Sequence, residues 1–333
     1  MTAIAEGPYF EELAVGQVFD GAPGVTLTPG LAAVHQAIVG DRLRLPLDAE
    51  LCREVTGGGQ LAHPALVWDV AIGQSTLVTH HVRANLFYRG LAFRRMPVIG
   101  DTLRTTTEVV TLRRNRPRPG RRPTGLAVLR ITTVDQDGRP VLGFWRCAML
   151  PLRDPEARTG RDADLDSVGT DTPDLAGEVA GMLAGWRLDR FRDRVPGRHF
   201  ADVGEGERLL VGGGDVVSSA PELARLTLNV AQVHHDARAA GGRRLVYGGH
   251  TIGLALSQAA RALPNLVTVV AWHGCDHVGP VHEGDTLSSE VLVERRQPLP
   301  GGGGLVHLRS LVRAVGDGEP RDVLDWRFVA VMA

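Results

Sequence analysis

The chain repeats itself. Near its start stands Phe10-Glu-Glu-Leu-Ala-Val-Gly16, and near its middle Phe200-Ala-Asp-Val-Gly-Glu-Gly206, each an aromatic, an acidic turn and a glycine ahead of a strand-like run. Further along each half, Val98-Ile-Gly-Asp-Thr-Leu103 is echoed by His282-Glu-Gly-Asp-Thr-Leu287 at a similar interval. Each Gly-Asp-Thr-Leu leads into an alternating strand (residues 104–112 and 288–295) and then two more (124–134 and 141–151; 304–315 and 321–332). A glycine-containing hairpin signal, Asp135-Gln-Asp-Gly-Arg139 or Val315-Gly-Asp-Gly-Glu319, separates the later pair in each half. A repeat of this length means one supersecondary unit used twice. Each unit also holds one apolar stretch of helical length, residues 64–78 and 251–263. A helix apolar on most sides has to be enclosed. The expected unit is therefore α+β, an antiparallel sheet curled around a central helix. Two such sheets in one chain can join edge to edge and cover each other's exposed strands.

Residues 1–152 and 193–333 form the two units, and residues 153–192 lie between them. The first part of that segment, rich in Asp, Gly, Thr and Pro (158–166 and 171–174), reads as an exposed linker. Residues 174–188 can form a short helix. The linker is expected to wrap one face so that the halves can pair.

Composition removes several chemistries. All 37 cationic side chains are arginine, which excludes Schiff-base, P-loop and kinase lysines. A formal net charge of −1 gives no electrostatic footprint for nucleic acid. No apolar run approaches the ~18 residues of a membrane span, and residues 1–7 carry no secretory signal pattern. Cys52, Cys147 and Cys275 are far apart and sparse, which fits a reducing cytoplasm and leaves no cysteine metal site.

Phe-Glu-Glu-Leu-Ala-Val-Gly-Gln, then Leu61-Ala-His-Pro-Ala-Leu66 before the first helix and Pro97-Val-Ile-Gly-Asp-Thr-Leu103 after it, resemble the MaoC-like dehydratase and (R)-specific enoyl-CoA hydratase family across nearly the whole chain outside the linker. The resemblance implies a tandem (double) hotdog fold, a hydro-lyase activity on acyl-CoA thioesters, no cofactor beyond the coenzyme A of the substrate, and a homodimer of pseudo-dimeric chains. Three stretches are most similar to the mesaconyl-CoA hydratase (β-methylmalyl-CoA dehydratase) branch: residues 82–88, 229–236 and 243–250. The family's hydratase motif places an acidic residue five positions before a histidine. Laid on this chain it gives Asn229 and His234 in the second half, with an amide where the family has a carboxylate. In the first half it gives Asp41 but Pro46 in place of the histidine. One active site per chain follows, with the degenerate first half contributing to the acyl pocket.

Adding water to an α,β-unsaturated thioester requires a base for water, a holder of negative charge on the thioester oxygen, and an acid for the α-carbon. An imidazole serves as base and then acid near neutral pH, which assigns proton transfer to His234. Asn229 can only orient water through its amide. Asp236, two positions on, is a candidate for holding the imidazole tautomer or the water. The enolate is best held by backbone N–H groups at a helix N-terminus. Gly248-Gly249-His250 opens the second apolar helix, and the N–H of Gly249 or His250 is the expected donor. A second substrate carboxylate would need a cation, for which Arg42, Arg44, Arg83 and Arg89 are candidates.

His273, Cys275, Asp276, His277 and His282 follow no metal-ligand spacing. They read as strand residues, with His273 and His277 on one face and His277 a candidate for the pocket wall. The run from Arg113 to Arg122 holds six arginines in ten positions. It reads as a solvated hairpin loop, the alternative being a grip on the phosphates of coenzyme A. Trp68 and Asp69 on the first helix read as packing. Competing readings are a hydratase for another acyl-CoA or carrier-bound intermediate, a hotdog thioesterase, and a non-catalytic acyl-thioester-binding subunit.

Overall fold

The computed structural model describes residues 6–169, 175–316 and 318–333. The first half runs β1 (Val18–Phe19), β2 (Val25–Thr26), α1 (Pro29–Val39), α2 (Arg44–Leu47), α3 (Ala49–Thr56), α4 (Pro64–Gln74), then β3 (Ala84–Phe93), β4 (Thr102–Arg114), β5 (Thr124–Val134) and β6 (Pro140–Pro151). The linker supplies α5 (Leu175–Met182) and α6 (Leu188–Arg194). The second half repeats the pattern as β7 (Arg208–Leu210), β8 (Asp215–Val216), α7 (Ala220–Leu226), α8 (Gly248–Ala262), β9 (Leu266–His277), β10 (Thr286–Pro298), β11 (Gly304–Val315) and β12 (Arg321–Met332).

The repeated motifs do the same work twice. Phe10 and Phe200 each seat a ring on a strand glycine, where an added Cβ on Gly125 or Gly304 would lie 2.3 Å from the ring. Each Gly-Asp-Thr-Leu aspartate closes the turn before its strand, Asp101 accepting from the Val98 N–H at 2.9 Å and Asp285 from the His282 N–H at 2.8 Å. Arg95 and Arg321 pair with these same carboxylates. α4 is buried along its entire length, and twelve of the fifteen residues of α8 are buried. Gln74 and Gln258, near the two helix ends, cap matching strand carbonyls at Leu103 and Leu287.

One twelve-stranded sheet wraps both helices in the order β1-β4-β5-β6-β3-β9-β12-β11-β10-β7, with β2 on β4 and β8 on β10. The halves meet through the antiparallel pair β3–β9, with Tyr88 opposite Cys275 and Arg89 opposite Gly274. This is the double hotdog expected from the repeat. The sheets do join edge to edge, and the join places the faces of α4 and α8 against each other.

The linker crosses the outer face of the first sheet. Leu165 and Val168 pack on Phe87, Leu126, Val128 and Cys147, and Arg89 donates to the carbonyls of Leu165, Asp166 and Val168. The segment 171–174 lies outside the described residues, as does Asp317 in the second hairpin. Of the linker helix expected over 174–188, residue 174 lies outside the described residues and the helix α5 ends at Met182, before Gly185 at φ +88°; α6 follows as a second helix from Leu188.

Candidate active site

The Asn229 site is built on a backbone turn shared by both halves. α1 ends in Gly40 with φ +67°, and Asp41 Oδ1 then accepts the Leu43 N–H at 2.8 Å. After α7 the equivalent left-handed position is Leu228 at φ +60°, and Asn229 Oδ1 accepts the Ala231 N–H at 3.0 Å. A non-glycine residue there is strained, so the turn is held by its surroundings. With its carbonyl oxygen engaged, buried Asn229 has its NH₂ left for a ligand. Five residues on, His234 hydrogen-bonds through Nδ1 to the Leu245 carbonyl at 2.8 Å. A carbonyl can only accept, so Nδ1 carries the proton and Nε2 is the bare, basic nitrogen.

These residues line a cavity of about 340 Å³ between the halves. The second half contributes Asn229, His234, Tyr247, Gly248, Thr251 and His277. The first half contributes Thr76, Thr79, Arg83, Asn85, Tyr88 and Arg146. Gly248 is the first residue of α8, and its close approach to His277 is why it is glycine: a Cβ there would lie 2.5 Å from His277 Nε2. Behind it, Tyr247 packs edge-on to His234 at 5.8 Å and donates its hydroxyl to Asp69 at 3.1 Å. Asp69, fully buried, also contacts His35 at 3.2 Å. A Cβ on Gly249 would lie 2.1 Å from Asp69 Oδ1, so this glycine too is dictated by packing.

The sequence-derived candidates divide clearly. Asn229, His234, Gly248, His277 and Arg83 lie on the cavity wall. Gly249, the next residue, is buried and is not among the lining residues. His250 is not an available donor, because its N–H is spent on the Tyr247 carbonyl at 3.0 Å and its ring is buried away from the cavity. The free amides at the start of α8 are therefore those of Gly248 and Gly249. Asp236 turns to the surface and pairs with Arg238. Arg42 is exposed outside the cavity wall, Arg44 donates to the Pro264 carbonyl, and Arg89 is taken by the linker. His273 and His277 do not share a face: the β9–β12 register slips between Gly274 and Trp272. The bulge leaves His273 stacked on His307 at 5.2 Å while His277 turns inward. In the arginine-rich loop, Arg116, Arg118 and Arg121 are exposed as expected for a solvated hairpin. Arg122 lines a smaller recess with Tyr9, His80, His81 and Arg83 that adjoins the cavity at Val82, Arg83 and Val233. Arg146 was not among the candidates, and neither were Tyr88 and Tyr247.

Among the described residues, the matching place in the first half is packed with buried side chains. Tyr88 and His277 lie opposite Arg146 and Leu324 in the sheet; their counterparts Trp272 and Phe93 lie opposite Phe328 and Leu142. Aromatic rings thus stand where Tyr88, Arg146 and His277 stand in the second-half site, and Trp68 packs on Trp272 at 4.8 Å and on Phe93 at 6.5 Å. Pro64 takes the place of Gly248 and has no N–H to offer, while Asp41 Oδ1 lies 2.6 Å from His63 Nε2.

Burial keeps the site's imidazoles neutral. His234 and His277 are both held down to about 4 by desolvation, with His235 and Arg146 adding repulsion at His234 and His234 adding it at His277. Buried His250 is held at about 4 for the same reason. In the unfolded chain these groups titrate near pH 6.5. Below that pH the unfolded state binds more protons than the native state, so stability is constant above about pH 6.5 and falls as the pH drops towards 4. The slope is at most about 1.4 kcal/mol per pH unit for each histidine. Asp69, whose carboxyl is raised by burial, opposes this with one proton of the opposite sign. The expected result is a Tm that declines steadily between pH 7 and pH 5 in thermal denaturation; a Tm rising over that range would contradict the buried, neutral assignment.

No family model matches the chain. Among curated proteins it is 30% identical to mesaconyl-CoA hydratase of Cereibacter sphaeroides over 90% of this chain and 87% of that one. It is 27% identical to β-methylmalyl-CoA dehydratase of Chloroflexus aurantiacus over 98% and 97%. Among solved structures it is 59% identical to a conserved hypothetical protein of Mycobacterium tuberculosis with a double hotdog fold, with a TM-score of 0.92 over 98% of this chain and 99% of that one. A MaoC-domain protein dehydratase from Chloroflexus aurantiacus superposes with a TM-score of 0.84 at 25% identity, covering 100% of this chain and 99% of its own. The chain belongs to the MaoC-like, double-hotdog family of hydro-lyases.

Proposed function

We propose that the chain reversibly adds water across the double bond of an enoyl-CoA thioester, with mesaconyl-CoA and β-methylmalyl-CoA as the substrate pair. The observation that carries this reading is the His234 imidazole. Its proton is committed to the Leu245 carbonyl, and its unprotonated Nε2 belongs to a cavity that the N-terminus of α8 also lines. In the hydration direction, Nε2 takes a proton from a water held by the Asn229 NH₂. The water oxygen bonds to the β-carbon, and the π electrons move to the thioester oxygen as an enolate. The N–H groups of Gly248 and Gly249, at the positive end of the α8 dipole, hold that charge. The imidazolium then returns its proton to the α-carbon, and the group ends as it began. Coenzyme A enters only as part of the substrate, its acyl end in the cavity. The names of the two curated relatives supply the choice of acyl group.

The test is direct. Purified protein is mixed with mesaconyl-CoA, and loss of enoyl absorbance is followed beside release of free thiol. Absorbance loss without thiol release is expected. Thiol release in step with absorbance loss would make the chain a thioesterase, and no change in either would remove the hydratase reading.

A further inference from the structure

Arg146 stands in the middle of β6, only 4% exposed, and on the cavity wall. Most buried or half-buried arginines of this chain meet a carboxylate or a set of carbonyls, as Arg95, Arg309 and Arg321 do. Arg146 does not. Its Nη2 donates to the Thr79 hydroxyl and, at 3.5 Å, to the Ser75 carbonyl, the guanidinium also pairs with the Tyr88 hydroxyl, and its Nε has no partner; none of these neighbours brings a negative charge. Among the described residues, no Asp or Glu lines the cavity. A guanidinium taken out of water without a counter-charge is costly, so a fold that keeps one has another use for it. The repeat shows that the fold does not require it. Arg146 lies opposite Leu129 on β5 and Tyr88 on β3; the matching residue, opposite Leu308 and Trp272, is Phe328. An aromatic ring fills that position in the one half, and a cation without a counter-charge fills it on the cavity wall of the other.

We propose that Arg146 anchors a carboxylate at the far end of the acyl group, so that the site selects short dicarboxylic enoyl thioesters over neutral ones. The planar fork of the guanidinium matches a carboxylate. The anion is on the acyl group rather than on coenzyme A, because Arg146 is enclosed while the exposed cation of the cavity, Arg83, stands where the cavity adjoins the smaller recess. Burial pushes the Arg146 guanidinium down, the direction an opposing negative charge would reverse. The inference rests on the hydratase reading above and adds the residue that sets its substrate class.

The experiment compares mesaconyl-CoA with crotonyl-CoA, a neutral four-carbon enoyl thioester, in the wild-type chain, Arg146→Met and Arg146→Phe. The wild type is expected to favour mesaconyl-CoA in kcat/KM. Both variants are expected to lose about 10²- to 10³-fold on mesaconyl-CoA, mainly through KM, while crotonyl-CoA turnover holds or improves. Arg146→Phe copies the residue that the other half already carries. The wild-type preference needs no variant, so its absence would overturn the anchor even if both substitutions failed to fold. Equal wild-type kcat/KM on the two thioesters, a preference for crotonyl-CoA, or equal losses on both in the variants would overturn the carboxylate anchor and leave the hydratase reading standing. Hydration of neither thioester by the wild type would remove that reading and this one with it.

Discussion

His234→Ala is expected to lower kcat for hydration by about 10²- to 10⁴-fold, the usual worth of a positioned acid–base group, with a smaller change in KM. The reason is the division of labour within one ring. Nδ1 is held by the Leu245 carbonyl and fixes the tautomer, so Nε2 is the atom that exchanges protons. His234→Gln, which can still donate to that carbonyl, is expected to be equally slow, because an amide neither takes nor gives the proton. With the imidazole held at about 4, Nε2 stays unprotonated through the neutral range. The rate is therefore expected to lose its acid limb only as the pH approaches that value, with no inflection near 6.5. Steady-state kinetics with mesaconyl-CoA from pH 5 to 8 reads all of this, and unchanged turnover in His234→Ala would remove the residue from the mechanism.

Gly248 gives the second large effect, and two substitutions separate its causes. Gly248→Ala adds a Cβ that would lie 2.5 Å from His277 Nε2, while keeping the backbone N–H. Gly248→Pro adds that carbon as part of a ring whose Cδ replaces the amide hydrogen. The helix tolerates proline there: Pro64 begins α4 at the matching position, and Tyr247, at φ −62° and ψ 133°, already has the extended backbone that precedes a proline. The difference between the two variants reads the loss of the amide hydrogen together with the ring carbon that replaces it. Loss of one oxyanion donor costs about 2.7–4 kcal/mol of barrier, so kcat for Gly248→Pro is expected to fall about 10²- to 10³-fold below that of Gly248→Ala. Equal rates would show that the Gly248 N–H does not hold the charge.

Much of this was legible in the residues because the chain states it twice. The aromatic at each half's start and the Gly-Asp-Thr-Leu turn recur because each makes a contact that a single copy of the unit needs. The two enclosed helices are visible because no wheel face is polar enough to meet water. The Asn229–His234 spacing survives in the structure because it is local, one turn of backbone following α7. What did not show was much of what depended on direction. Arg42, Arg89 and Asp236 carry the right charges, but solvent, the linker and Arg238 claim them. A bulge at His273 reversed the expected alternation of β9, and bulges leave little trace in a run such as Ala271-Trp-His-Gly-Cys275. Arg146 was hidden inside Phe144-Trp-Arg-Cys-Ala-Met-Leu150, which reads as an ordinary buried strand. A signal was there nonetheless: aligning the two halves strand by strand sets that lone charge against Phe328. The outer helices α1, α3 and α7 were missed because each buries only part of its surface.

The central claim is that a thioester lies with its carbonyl on the amides of Gly248 and Gly249 and its β-carbon towards His234. The most direct measurement is a crystal structure of the inactive His234→Gln chain with mesaconyl-CoA bound. The expected result is a thioester oxygen about 3 Å from one or both amide nitrogens, with the β-carbon separated from residue 234 by room for a single water. A thioester carbonyl seated away from the start of α8, or an acyl group lodged outside the cavity between the halves, would contradict it.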